Sequence, residues 1–226
     1  MSIALKRWKR LAKCTLAAYM PESVVALLPY EVQRHSVTDW DVAYGQGHWN
    51  YLYRSSELAR YGTIVSFSHR FTQGGPVLDL GCGEGILKLH LNPDTYARYD
   101  GVDLSSEAIG KAQQMPADGK SRFVAADIEV FEPPEPSDVI IFNEVLYYLT
   151  DPLKAVQRYE AFLKPGGVFI VSMFDMLKSR KIWRELDGHY ALLEASRAVN
   201  HGGHSWSIRV YRRRVEQAEP AALPAA

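Results

Sequence analysis

Val77-Leu78-Asp79-Leu80-Gly81-Cys82-Gly83-Glu84-Gly85 decides how this chain is read. A short apolar run reads as a buried strand, and alternate glycines follow where a strand should turn into a helix. Glycine lets backbone approach a ligand with no Cβ in the way. A following helix, expected from residue 85 to about 91, would present unpaired N–H groups to the polar end of a bound cofactor.

Outward from this stretch, strand and helix patterns alternate. Apolar runs at residues 99–104, 122–126, 139–142 and 168–171 read as the second to fifth strands. Ser105 is a suitable N-cap for a helix at 106–114, and Asp151-Pro152 starts another with a cap and a proline at its first position. Pro165-Gly166-Gly167 turns the chain into the fifth strand, and residues 131–136 hold too many prolines for a regular element. A further helix at 176–187 and closing strands at 190–193 and 207–211 complete the pattern. Strands separated by helices imply an α/β fold with a doubly wound, mostly parallel, seven-stranded sheet.

The chain has 226 residues, enough for one sizeable α/β domain with appendages and short for two. Its 26 Lys and Arg balance 26 Asp and Glu, which gives no support for a nucleic-acid partner. Cys14 and Cys82 cannot make a disulfide framework, so a reducing, cytoplasmic setting is expected. No run approaches the roughly 18 apolar residues of a membrane span. Residues 1–35 form a basic extension, with Lys6, Arg7, Lys9, Arg10 and Lys13 interleaved among Ile3, Leu5, Trp8 and Leu11. This reads as a solvated helix over the domain or as an amphipathic helix making weak contact with a membrane surface or partner; a signal peptide is a third reading, against which the apolar run Leu16 to Met20 is short and ends at Pro21-Glu22. Residues 36–72 read as an aromatic helical cap, 73–217 as the core, and the Ala/Pro-rich 218–226 as a disordered tail.

If the glycine turn holds a nucleoside cofactor, the second strand should end in an acid that accepts from the ribose hydroxyls. Asp103 stands there. Asp127, after the third strand, would accept from the adenine amine, with Leu104 and Ile128 covering the ring faces.

In this order and spacing, residues 79–85, 101–105, Asp127, 143–148 and 163–167 resemble the class I S-adenosylmethionine-dependent methyltransferases, over about residues 77–174. The resemblance implies a Rossmann-like core. It places Asp79 and the Gly81 and Gly83 backbone near the methionine part of the cofactor, Asp103 on the ribose and Asp127 with Ile128 at adenine. Asn143 would border the reacting methyl. Two alternatives stay open. One is a nicotinamide-dependent oxidoreductase, although the glycines here do not follow G-x-G-x-x-G and there is no Tyr-x-x-x-Lys pair. The other is a protein that binds the same cofactor without transferring a methyl group.

For transfer, the segment after the fourth strand should face the methyl. Glu144 is the candidate general base or acceptor-orienting group there, and Tyr147 and Tyr148 are candidates for the acceptor wall. His201-Gly202-Gly203-His204 reads as a mobile acceptor-side loop with His204 a second candidate base, since no nearby cysteine or acid completes a metal set. Tyr44 and Trp49 could offer aromatic faces to a sulfonium. With the Arg60-Tyr61 pair before the next helix, their stretch loosely resembles the lead-in of small-molecule and sugar methyltransferases of the nodulation N-methyltransferase kind. Arg209, Arg212, Arg213 and Arg214 read either as a solvated strand edge or as the seat of an anionic acceptor. The expected acceptor is a small polar molecule, a sugar or glycan intermediate first, methylated on oxygen or nitrogen.

Overall fold

A computed structural model describes residues 36–214; the basic extension 1–35 and the tail 218–226 lie outside the described residues. Seven strands form one sheet: β1 Pro76–Leu80, β2 Arg98–Asp103, β3 Ser121–Ala125, β4 Ser137–Asn143, β5 Leu163–Phe174, β6 Ala191–Val199 and β7 Ser205–Arg212. Their order is β3-β2-β1-β4-β5-β7-β6. The first five run parallel, and β7 is antiparallel to both β5 and β6. The chain therefore starts mid-sheet, winds outward to β3, and crosses back to β4 on the other side of β1. That reversal opens a crevice beyond the carboxyl ends of β1 and β4.

Among the described residues, five α-helices accompany the sheet: α1 Val37–Gly45, α2 Leu58–Phe71, α3 Ser106–Ala112, α4 Pro152–Arg158 and α5 Leu177–His189. Alternate residues of the central strands go to opposite faces, as the two-residue period of a strand requires. Leu78, Leu80, Ile140, Phe142 and Phe169 pack with Val156 of α4 and Ile182 and Leu186 of α5. Val77, Val139, Ile141, Val168 and Ile170 pack with Tyr61 and Ile64 of α2. Covering both faces lets the parallel strands be apolar throughout. The expected caps form: Ser105 Oγ accepts from Ala108 N, and Asp151 Oδ1 from Lys154 N at 3.0 Å ahead of Pro152.

Two local readings change. The helix expected at 85–91 is one 3₁₀ turn, Leu87–His90. Gly85 sits at φ +75°, outside helical space, and Pro93 cuts the segment short. Just before it, the Gly81 and Cys82 amides bond the Val102 carbonyl, at 2.7 and 3.0 Å, where the pairing of β1 with β2 ends. Pro165-Gly166-Gly167 lies inside β5, because its pairing with β4 shifts register between Ser137 and Val139 and absorbs the extra residues.

The cap is latched to the core at two places. Asp41 Oδ1 accepts from Ser105 Oγ at 2.6 Å and Glu107 N at 3.2 Å, and its Oδ2 accepts from Ser106 Oγ at 3.1 Å. Glu84, in the glycine turn, accepts from Tyr53 Oη at 2.8 Å and Lys111 Nζ at 2.9 Å, and Lys111 also donates to the Tyr44 carbonyl at 2.7 Å. Among the described residues, no helix is long and apolar enough to cross a membrane.

Asp79 lies beneath the glycine turn, where Tyr99 Oη donates to its Oδ2 at 2.5 Å and its Oδ1 is buried without a partner. Burial pushes its pKa up to about 7. The folded chain thus holds this proton more tightly than the unfolded chain, so Asp79 lowers stability as pH rises from 3.8 to about 7, and the penalty is constant above that. Its upper limit is about 4 kcal/mol. Asp79→Asn should flatten the decline of melting temperature across that window. An unchanged slope would show that the carboxyl titrates normally. Asp41→Ala should speed amide hydrogen exchange in residues 37–45 by about tenfold or more, with the sheet amides unmoved.

Candidate active site

The crevice holds about 1960 Å³, roughly twice the upper end of a single small-molecule site. One wall is the glycine turn. Gly81 and Gly83 have φ of +78° and +54°, where an L side chain is strained. A Cβ at Gly83 would stand 2.8 Å from Tyr44 Oη, and one at Gly81 2.6 Å from Val145 Cγ2. Beside them, at the end of β2, Asp103 Oδ2 accepts from Gly83 N at 2.8 Å and Oδ1 from Ser105 N at 2.9 Å. Burial raises its pKa and these amides oppose the rise. Each oxygen keeps a lone pair for a ligand hydroxyl.

The structure brings most of the sequence-selected residues to this cleft. Asp127 is exposed at its edge, with Oδ1 accepting from Glu129 N at 2.8 Å. Ile128 is buried and Leu104 half-buried along the same side. Asp79 does not border the cleft: it supports the turn from below.

Across the cleft, Asn143 ends β4 and its Oδ1 accepts from Arg60 Nη1. Sequence reasoning gave Arg60 no role. It comes from α2 and is 1% exposed, with Nη2 3.3 Å from Glu57 and its guanidinium 4.3 Å from the Tyr61 ring centre. Its Nε is buried without an acceptor. The available signal was an arginine on the buried stripe that also carries Ile64 and Ser68.

Glu144 follows Asn143 with φ +60°, a conformation rare outside glycine and frequent at functional positions. Its carboxylate accepts from Tyr147 Oη at 2.7 Å, Ser172 Oγ at 3.0 Å and Phe174 N at 3.1 Å. Burial raises its pKa against the opposing Arg60 charge. Tyr147 is buried, and Tyr148 meets it edge-on at 4.7 Å between centroids. Tyr148 also meets Trp40 at 5.0 Å, which stacks on Trp49 at 5.8 Å, and Trp49 lies 6.0 Å from Tyr44. These rings make an aromatic edge to the cleft, with Trp49 Nε1 buried and unpaired. His204 lines the far end against Phe174, at 5.9 Å. Arg209 is bound to Asp187 at 2.5 Å. Arg212, Arg213 and Arg214 are exposed at the carboxyl end of β7, which pairs with β5 on one side and β6 on the other, so the strand-edge reading of these arginines is corrected. Among the described residues, no group of three His, Cys, Asp or Glu could hold a metal.

A protein-family model described as a methyltransferase domain matches residues 49–219. Trans-aconitate 2-methyltransferase of Rhodopseudomonas palustris is 36% identical over 103 residues, covering 45% of this chain and 39% of the relative. Ubiquinone biosynthesis O-methyltransferase of Paraburkholderia phymatum is 34% identical over 117 residues, 50% of each chain. The chain thus spans about half or less of these curated relatives. The N-methyltransferase NodS of Bradyrhizobium japonicum, solved with S-adenosylhomocysteine, superposes with a TM-score of 0.67 at 21% identity, over 77% of this chain and 98% of that one. That likeness shows a shared fold. With the family match extending over most of its length, the chain belongs to the class I S-adenosylmethionine-dependent methyltransferases.

Proposed function

We propose that this chain moves a methyl group from S-adenosylmethionine to an oxygen or nitrogen atom of a small polar acceptor. The observation that carries the reading is Asp103, a carboxylate at the end of β2 hydrogen-bonded to the Gly83 amide of the glycine turn, beside the point where the sheet reverses its winding. The bound cofactor supplies a methyl carbon already made electrophilic by its sulfonium, and transfer forms the acceptor–carbon bond as the carbon–sulfur bond breaks. The residues must hold the reactants in line, exclude water and take away the acceptor's proton.

For holding the cofactor, Asp103 accepts from the ribose hydroxyls and Asp127 from the adenine amine, with Leu104 and Ile128 against the base. Gly81 and Gly83 admit the methionine part close to backbone. Arg60, with an unused Nε in this wall, is the cation for its carboxylate. Asn143 stands at the reacting end, and Tyr44 and Trp49 offer ring faces to the positive sulfur. Tyr147 and Tyr148 shape the acceptor side.

Glu144 orients the acceptor or takes its proton. Its carboxylate is fixed by three donors, so it is presented in one geometry. His204 is the second candidate for the proton. Hydroxyl-rich acceptors such as sugar or glycan intermediates are the first class to test.

Incubating labelled S-adenosylmethionine with an acceptor panel, and following both transfer and release of S-adenosylhomocysteine, tests the activity. Asp103→Ala should weaken S-adenosylhomocysteine binding by about tenfold or more in calorimetry, as loss of charge-assisted hydrogen bonds requires. Unchanged affinity would remove the cofactor assignment. Glu144→Gln should lower kcat by about a hundredfold with cofactor affinity intact. Equal kcat would take Glu144 out of the chemistry.

A further inference from the structure

Glu144 is fastened to two groups of aromatic rings. Tyr147 Oη donates to it at 2.7 Å, the Tyr147 ring meets Tyr148 at 4.7 Å, and Tyr148 meets Trp40 at 5.0 Å. From β5, Phe174 N donates to it at 3.1 Å, and the Phe174 ring lies 5.8 Å from Trp206 and 5.9 Å from His204. Trp40, Tyr148, Phe174 and His204 line the cleft and are half-buried, which leaves ring surface open to it. Ring surface inside a concavity suits a flat apolar occupant. At about 1960 Å³ the cleft takes such a molecule beside a nucleoside.

The polar side chains at this end are turned to one another. Asp175 accepts from Arg197 Nε at 2.8 Å and from the Ser205 and Ser207 hydroxyls at 2.7 Å each. Ser179 Oγ donates to the Phe174 carbonyl at 2.7 Å, and Lys178 Nζ donates to the Tyr147 carbonyl. Arg209 is held by Asp187 and lies with its guanidinium 4.5 Å from the Trp183 ring centre. A hydroxyl-rich acceptor would lose several hydrogen bonds to water here and recover few. A ring with one polar substituent loses little, which places a flat acceptor ahead of a sugar.

Glu144 decides what that substituent is. Its Oε2 accepts from both Tyr147 and Phe174, which fills two lone pairs. Its Oε1, among the described residues, accepts from Ser172 Oγ alone, at 3.0 Å, so one lone pair remains on this carboxylate. A hydroxyl brings one donor and matches it. An amino group brings two and leaves one unpaired.

We propose that the methyl acceptor is a planar aromatic molecule carrying a hydroxyl, its ring lying between Tyr148 and Phe174 and its O–H donating to Glu144 Oε1. This deepens the proposed function and rests on it for the transfer step, whereas ring binding is measured without turnover. In that step the ring oxygen gains the methyl as the carbon–sulfur bond breaks, and its proton passes to Glu144.

The test is calorimetry on the full chain loaded with S-adenosylhomocysteine. The probes are 2-naphthol, its saturated counterpart decahydro-2-naphthol, its methyl ether 2-methoxynaphthalene, and methyl α-D-glucopyranoside. 2-Naphthol should bind about fivefold or more tightly than each of the others. Tyr148→Leu and Phe174→Leu, one from each ring group, should each weaken it by about threefold or more while S-adenosylhomocysteine affinity is retained. Should one variant fold poorly, the other carries this comparison, and the probe series needs neither. The proposal is overturned if 2-naphthol does not bind, if any other probe matches it, or if the folded variants hold it as the parent chain does. Repeating the series without S-adenosylhomocysteine keeps the two readings apart. Ring preference without cofactor affinity removes the methyltransferase reading, and cofactor affinity without ring preference removes only this acceptor.

Discussion

The carboxylate of Asp103 ties the molecule together at its working end. One oxygen fixes the glycine turn through Gly83, and the other fixes Ser105, which starts α3. Ser105 in turn holds Asp41 of the cap. A single buried acid thus sets the turn after β1, the helix after β2 and the position of a segment that precedes both in sequence. Burial works against its charge and raises its pKa, and the amides that face it oppose that rise. A ligand hydroxyl at the same oxygens would join an existing network rather than order a loose one, which limits the entropy lost on binding.

Sheet order brings two separate sets of loops to one cleft. The reversal at β1 and β4 sets one set of loops on the β2–β3 side and another on the β5–β7 side. The first set is acidic at the cleft, and the second carries the amino end of α5 and the β6–β7 turn. Arg60 spans the boundary. It reaches from α2 to Asn143 and lies 5.7 Å from the Trp206 ring centre, so cap, central strand and terminal hairpin all meet on one guanidinium.

The strands were legible because parallel strands covered on both faces must be continuously apolar, as in Val139-Ile140-Ile141-Phe142. Asp103 and Asp127 were legible because a ligand crevice must lie at strand ends, and the sequence shows where strands end. Less could be read where partners are distant in sequence. α1 has a weakly amphipathic face, and its position comes from Asp41 bonding residues more than sixty positions away. The segment after Gly85 has helix-compatible residues, yet positive φ at the glycine and the nearby proline leave room for only one tight turn. The surroundings of Glu144 were hidden too, since Ser172 and Phe174 lie about thirty residues on and meet it only through the pairing of β4 with β5.

The double latch on the cap has a kinetic corollary. Asp41 with its three donors, and Glu84 with Tyr53 and Lys111, fasten this segment to the core through protein groups alone. Under the proposed function such fastenings would make no distinction between incoming and spent cofactor, and any passage beneath them would have to undo the same contacts in either direction.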